Sequence, residues 1–357
     1  MNDAPHSLTS TDPERTVEFE FVRATENAAL NSLQWFGRGD KELADAAACD
    51  AIYGVFDLVD IAGEVVIGEG IKDNAPGIFL GEQLGTWRQG SARFDIALDP
   101  IDGTTNIAGG MPNAISVMAA SERLAGEDRA MKNIPSFYSA KLAYGPEVVH
   151  AITSGMDPLS LDEPPHQLLA KVAKALGKRV NDVVVVTLNR PRHADFIRAV
   201  REAGASLRLI TDGDITAAVS PSLADSGVDL FYGIGGSPEG ILTAAAMKAL
   251  GGEMLLRMWP RDQAERTALL KLVGAHELDR IFTSSDLVHG NSALFCATGI
   301  SDSPLLPGVR LFGNKAVTHS VLMRERSRTV RYIRAVHDLR HKTIHLRSKR
   351  AESRLQS

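Results

Sequence analysis

Asp99 and Asp102 stand at the end of an alternating apolar run, Phe94-Asp95-Ile96-Ala97-Leu98, separated by Pro100-Ile101 and followed by Gly103-Thr104-Thr105. Two carboxylates this close repel each other unless a proton or a cation lies between them. Hard oxygen donors of this kind suit Mg²⁺ or Mn²⁺. Thr104 sets a hydroxyl beside any ion so held, and Gly103 lets the backbone pass tightly beneath it. The same Asp-Pro-x-Asp-Gly composition also makes an ordinary turn. The pair alone therefore leaves turn and metal site equally open.

Other acids fall at loop mouths. Glu69 lies between two glycines after the apolar Val65-Val66-Ile67, with Asp73 a little further on. Asp212-Gly213-Asp214 follows Leu207-Arg208-Leu209-Ile210, where it would accept the hydroxyls of a polyol or cap the next helix. Glu239 begins an alanine-rich helix and either ligates a cation or complements the helix dipole. Asp45 sits in a helical stretch as a ligand or as an exposed residue. Arg190 and Arg192 flank Pro191 just before a helix, where free N–H groups already favour an anion. They read as a phosphate fork or as a pair of surface arginines. Gly233-Ile234-Gly235-Gly236-Ser237-Pro238-Glu239-Gly240 offers backbone amides to a phosphate or sugar. It is not a dinucleotide fingerprint, because Pro238 and Glu239 occupy the place where the close helix should begin.

These residues need a scaffold. Asp12-Pro13-Glu14 reads as a helix start, and Val22, Ala29, Leu33 and Phe36 recur at helical spacing up to Gly37. A second helix carries Ala44, Ala48, Ile52, Val55 and Val59. Strands are expected at 65–67, 94–99 and 115–119, with Pro100 forbidding simple continuation of a central ladder. Residues 133–138 form an irregular piece that could face a ligand. Glu163-Pro164-Pro165 reads as a joint between two packed halves, 12–160 and 161–338. Beyond it, strands at 183–188, 207–210 and 228–232 each end in a polar or glycine-rich loop that opens a helix. Sheets of the α/β class collect ligands at such strand ends. Further strands and a closing helical or strand segment follow between 292 and 336.

With 357 residues, 44% of them hydrophobic, the chain can bury a large core. A net charge of −5 argues against a general nucleic-acid binder. Residues 1–11 are polar and expected to be disordered, and they lack the pattern of a signal peptide. No run has the length of a membrane span. The basic stretch 339–357 reads as a disordered, solvated tail. Cys49 and Cys296, far apart in apolar surroundings, read as reduced thiols of a cytoplasmic protein.

The Asp99-Pro100-Ile101-Asp102-Gly103-Thr104 hexapeptide after Gly68-Glu69-Gly70 resembles the lithium-sensitive, metal-dependent sugar and inositol phosphatases. Gly37-Arg38-Gly39-Asp40-Lys41 with Ala44-Asp45, Arg190-Pro191-Arg192-His193, Asp212-Gly213-Asp214 and residues 232–240 narrow the resemblance to class II fructose-1,6-bisphosphatases, from about Val17 to His337. The resemblance implies a layered αβαβα fold and a homo-oligomer, dimer or tetramer. It implies two or more Mg²⁺ or Mn²⁺ ions on Asp45, Glu69, Asp99, Asp102 and Glu239, with Thr104 and Asp73 in catalysis. Asp102, Gly103, Thr104, Tyr138, Arg190, Pro191, Arg192, Asp212, Gly213, Asp214 and Gly236 would hold the sugar bisphosphate. The activity implied is hydrolysis of the 1-phosphate of fructose 1,6-bisphosphate, with neither a nucleic acid nor a membrane as partner.

The chain departs from that pattern at Ile71 and Asn74, where the family often carries acids, and at Arg190, where a lysine is common. A sedoheptulose-1,7-bisphosphatase or a bifunctional enzyme is the nearest alternative. An inositol monophosphatase is more distant, since it would not need the arginine pair. A catalytically silent sugar-phosphate sensor would gain nothing from the water-activating Thr104.

Overall fold

The computed structural model describes residues 12–68, 78–123, 126 and 128–348. Among the described residues, thirteen strands form two sheets. The first contains β1 (Ala62–Ile67), β2 (Gln83–Leu84), β3 (Arg93–Asp102) and β4 (Ile115–Glu122), and the second contains β5 (Tyr138–Tyr144), β6 (Val184–Leu188), β7 (Ser206–Ile210), β8 (Leu230–Gly236) and β9 (Glu253–Trp259). The chain then returns to the first sheet for β10 (Ala293–Gly299), β11 (Arg310–Phe312), β12 (Lys315–Arg324) and β13 (Thr329–Asp338). The strand orders are β11-β12-β10-β4-β3-β1-β2, with β13 on β12, and β7-β6-β8-β5-β9. Ten helices accompany them among the described residues: α1 (Pro13–Ser32), α2 (Lys41–Phe56), α3 (Thr104–Gly109), α4 (Pro146–Thr153), α5 (Pro165–Leu176), α6 (Ala194–Glu202), α7 (Asp214–Val219), α8 (Ser237–Leu250), α9 (Gln263–Asp279, kinked at Gly274) and α10 (Ser284–Leu287).

The layering follows from the two-residue period of the strands. Phe94, Ile96 and Leu98 of β3, with Met118 and Ala120 of β4, pack against Phe21 and Ile52 of α1 and α2. The intervening Ala97, Val117 and Ala119 point the other way, into a core shared with α7, α8 and the inner face of the second sheet. In that sheet Ala143, Val186 and Phe231 face inwards, while Leu142, Val185 and Leu230 pack on α4, α5 and α6. The order is helix, sheet, helix, sheet, helix, the αβαβα arrangement expected from the resemblance. Strands buried on both faces explain the near-continuous apolar runs.

Three differences from the sequence reading have physical causes. The strand does not stop at Pro100: β3 runs to Asp102, and its register with β4 shifts between Asp99 and Asp102. A proline, which lacks the N–H, is tolerated at such an irregularity. The chain does not divide between the sheets at Pro164-Pro165. It crosses between β4 and β5 and crosses back between β9 and β10, so β5 belongs to the second sheet and β10–β13 complete the first. Proline there marks the start of α5, a position that needs no backbone donor. The stretch expected to be a solvated tail is described as far as Ser348 and lies on α2. Arg347 Nη2 is 2.7 Å from Asp57 Oδ1, its guanidinium lies over the Tyr53 ring, and Ser348 N–H donates to Asp50 at 2.9 Å. Residues 1–11 and the chain beyond 348 lie outside the described residues.

Candidate active site

Among the described residues, the loops expected to carry the site leave their strands at the same end of the molecule. Asp99 to Thr104 close β3, Arg190 and Arg192 follow β6, Asp212 to Asp214 follow β7, and Gly235 to Glu239 close β8 and open α8. β6 runs parallel to β7 and β8, and β5 runs antiparallel to β8 and β9, so β5 enters at that end with Tyr138. A cavity of about 890 Å³ opens there, lined by Asp99, Asp212, Asp214 and Glu239 on the acidic side and by Arg190 and Arg192 on the basic side. Gly68, Tyr138 and Gly236 line the same cavity, as do all of residues 133–138. Glu69, Asp73, Ile71 and Asn74 lie outside the described residues.

Two acidic loops from different sheets are fastened together through two asparagines, with Asn106 Nδ2 donating to Asn113 O at 3.0 Å and to Asp212 O at 3.3 Å. Asn113 Nδ2 donates to the carbonyl oxygens of Asp212 at 2.7 Å and Gly213 at 2.9 Å, and Asn113 Oδ1 accepts from Thr216. Gly103 (φ 94°) and Gly213 (φ 79°) both press on Asn113: a Cβ on either would fall 2.5 Å from its carbonyl oxygen. Both positions thus require glycine for conformation and for space. Thr105 N–H donates to Asp212 Oδ2 at 3.2 Å, and Ile215 N–H to Asp102 Oδ2 at 3.2 Å, so each loop also holds the other's carboxylate. Thr104, half-buried, is the first residue of α3.

The charges at the acidic end are in conflict. Asp102 is buried, and its carboxyl is held well above the usual carboxylate range by burial and by the charges of Asp214, Asp99, Glu239 and Asp212. Burial, with Asp214 beside it, pushes Glu239 up to about 7, against the attraction of Lys141. Glu239 Oε2 is buried and meets no hydrogen-bond partner among the described residues. Asp99 Oδ1 accepts from Ile101 N–H at 3.0 Å. Hard oxygen donors crowded to the point of mutual repulsion, one of them buried without a donor, fit a divalent cation. Among the described residues no three such side chains already stand as a metal-ligating cluster. Asp214 is turned towards Lys141, and Glu69 is not described. Asp45 is buried on α2, which packs on α3 and β3, but it does not line the cavity.

At the basic end, Arg192 Nε donates to Ile234 O at 2.7 Å and its guanidinium lies 4.7 Å from the centre of the Tyr138 ring. Arg190 Nη2 donates to Thr211 O at 2.7 Å. These bonds hold both forks at the cavity wall and leave further donors on each. The next residue, His193, is fully buried, and its Nε2 accepts the Ile234 N–H at 2.7 Å. Burial and the Arg192 charge push it down to about 4, so it is a neutral strut of the loop.

Sequence reasoning missed Lys141, Asn113, Arg261 and Glu265. Lys141 lies inside an otherwise apolar strand, a departure from pattern that signals a buried partner. Asn113 follows Gly109-Gly110-Met111-Pro112 and holds a positive φ of 75°, a conformation asparagine tolerates. The last two carry no motif.

The model of the bacterial, glpX-encoded fructose-1,6-bisphosphatase family matches residues 15–337. The class 2 fructose-1,6-bisphosphatase of Haemophilus influenzae is 40% identical over 336 residues, covering 91% of this chain and 97% of that protein. Two Synechococcus proteins, named class 2 D-fructose 1,6-bisphosphatase/sedoheptulose 1,7-bisphosphatase, are 35% and 34% identical over 341 residues, each covering 89% of this chain and 94% of the relative. No helix among the described residues is long and apolar enough to cross a membrane. With the family match running through both sheets and every loop of the cavity, the chain belongs to the bacterial class II fructose-1,6-bisphosphatase family.

Proposed function

We propose that the protein hydrolyses the 1-phosphate of fructose 1,6-bisphosphate to fructose 6-phosphate and inorganic phosphate, in gluconeogenesis and related carbohydrate metabolism. One observation carries the reading: a single cavity is lined by crowded carboxylates and by arginines, Arg190 and Arg192 among them. A sugar with a phosphoryl group at each end is complementary to both, provided divalent cations stand between the acids and the reacting phosphate.

Asp99, Asp102 and Glu239, with Asp45 and Glu69, would hold two or more Mg²⁺ or Mn²⁺ ions. Such ions supply charge neutralisation for the attacking and leaving oxygens of an in-line displacement. The chain's own groups do the rest. Thr104 Oγ1 orients the attacking water, and Asp73 takes its proton as the new oxygen–phosphorus bond forms. The bond from phosphorus to the C1 oxygen breaks, and that oxygen leaves as the alcohol by taking up the proton released from the water, relayed from Asp73 through solvent. Asp212 and Asp214 accept sugar hydroxyls, Gly103 and Gly236 let the backbone approach, and Tyr138 stands beside the ring. Arg190 and Arg192, on either side of Pro191, hold the remote phosphoryl group, and binding there aligns the reacting one. The protein acts as a homo-oligomer, dimer or tetramer, in the cytoplasm, where Cys49 and Cys296 stay reduced.

The two Synechococcus names favour a second reading, in which the seven-carbon bisphosphate is a substrate as well. The test is phosphate release from both bisphosphates with Mg²⁺ or Mn²⁺, with and without EDTA. Metal-dependent release from the six-carbon sugar, with fructose 6-phosphate as product, is the expected result. No release with either ion would reject the reading and favour a binding protein.

A further inference from the structure

A third arginine opens on the same cavity. Arg261 follows β9 and precedes α9, and its guanidinium lies 4.4 Å from the centre of the Phe137 ring. Phe137 meets Tyr138 edge to face at 4.8 Å, and Tyr138 carries Arg192 on its ring. The cavity wall is therefore a ladder of guanidinium, ring, ring and guanidinium. Glu265, the third residue of α9, fixes its outer end. Glu265 Oε2 accepts from Arg261 Nε and from the Arg261 backbone N–H, both at 2.8 Å, while its Oε1 accepts the Phe137 N–H at 3.1 Å. An ordinary surface ion pair four residues apart orders little else. This one ties a cation, an aromatic ring and the β5 entry into one rim. Because Glu265 occupies Nε, the terminal nitrogens of the guanidinium remain to be aimed elsewhere, in the planar geometry that suits a phosphoryl group.

We infer that Arg261 is a specificity-determining residue for the remote phosphoryl group of the bisphosphate, acting with Arg192 across the Phe137–Tyr138 step. The inference rests on the bisphosphatase reading above. It makes Arg261 a selector of substrates charged at both ends, adding affinity at the outer rim while alignment of the reacting group stays with Arg190 and Arg192. Glu265 is a positioning residue that keeps the arginine on the rim.

The experiment compares wild type, Arg261→Gln and Arg261→Lys with Mg²⁺ on fructose 1,6-bisphosphate and on p-nitrophenyl phosphate, a monoester with no second phosphoryl group. Loss of one charge-assisted contact raises KM for the bisphosphate about tenfold in Arg261→Gln, with kcat within about twofold of wild type. Arg261→Lys recovers part of that loss, and kcat/KM for p-nitrophenyl phosphate is unchanged. An unchanged KM for the bisphosphate would reduce Arg261 to a surface ion pair and overturn the inference. Equal losses on both substrates would do the same, since they would mark a structural defect. Wild-type protein inert towards the bisphosphate would overturn the underlying reading, and the inference with it.

Discussion

Lys141 Nζ lies 2.5 Å from Asp214 Oδ2 beneath the acidic end of the cavity, with both side chains almost wholly buried. The same ammonium donates to Gly236 O at 3.0 Å, so a β5 cation ties the start of α7 to the end of β8. A Cβ on Gly235 would fall 2.5 Å from Asp214 Oδ2, so that position must be glycine for the pair to sit where it does. Removing one member of a buried pair leaves an unpaired charge, which costs about 3–5 kcal/mol. Lys141→Met should show that loss as a lower urea midpoint. A midpoint within error of wild type would mean the pair contributes nothing.

Asn113 should matter to turnover more than to folding. Asn113→Gly keeps the positive φ that the backbone needs here and removes the side-chain bonds to Asp212, Gly213 and Thr216. The two acidic loops then separate more freely. The expected result is a fall in kcat/KM of about tenfold or more, the cost of roughly an ångström of misplacement, with a native circular-dichroism spectrum. Unchanged kinetics would show that the loops are positioned by other means. Gly213→Ala should be worse, because strain at φ 79° adds to contact with the Asn113 carbonyl.

Charge reversal at Arg192 separates a bisphosphatase from a monophosphatase. Arg192→Glu should raise KM for fructose 1,6-bisphosphate at least about a hundredfold, since an attraction becomes a repulsion. Hydrolysis of p-nitrophenyl phosphate should change little. Comparable effects on both substrates would argue that Arg192 supports the loop and does not hold a phosphoryl group.

His193 predicts an acid-side instability. Its folded pKa of about 4 lies below the ordinary value of 6.5, so between these limits the unfolded chain binds the extra proton. Stability is therefore fully present above pH 6.5 and is lost as the pH falls towards 4, by about 3 kcal/mol in all. Urea titrations at pH 7.0 and 5.0 should differ less in His193→Gln than in wild type. An equal pH dependence in the two proteins would remove His193 as its cause.

The acidic turn, the arginine pair and the strand-end loops were legible because each is local: a residue type, a short spacing and a change of period. The αβαβα order was carried by the resemblance, and the alternation in β3, β4 and β8 accounts for it. What sequence hid is non-local. Nothing in Tyr138-Ser139-Ala140-Lys141 says that β5 joins β8 and β9 beyond the proline joint, so neither the division between sheets nor the partner of Lys141 could be read. Asn113 and Arg261 act on residues far away in sequence, through contacts that exist only once both sheets are assembled. Asp45 was left open between ligand and exposed residue, and it is buried, a consequence of α2 lying flat on β3 and α3. Asp12 stands at the expected helix start, yet its side chain makes no capping bond and pairs instead with Arg324 of β12.

The most direct measurement pairs Mn²⁺ binding, followed by electron paramagnetic resonance, with phosphate release from fructose 1,6-bisphosphate, in wild type and in Asp102→Asn. Asp102 is buried among the other acids and bonded to Ile215 N–H, so the isosteric amide preserves packing while removing one charge. The account predicts bound Mn²⁺ and turnover in wild type, with weaker binding and turnover reduced by about a thousandfold or more in the variant, the scale of losing a principal charge-stabilising group. Tight Mn²⁺ binding and near-wild-type turnover in a folded Asp102→Asn protein would contradict it.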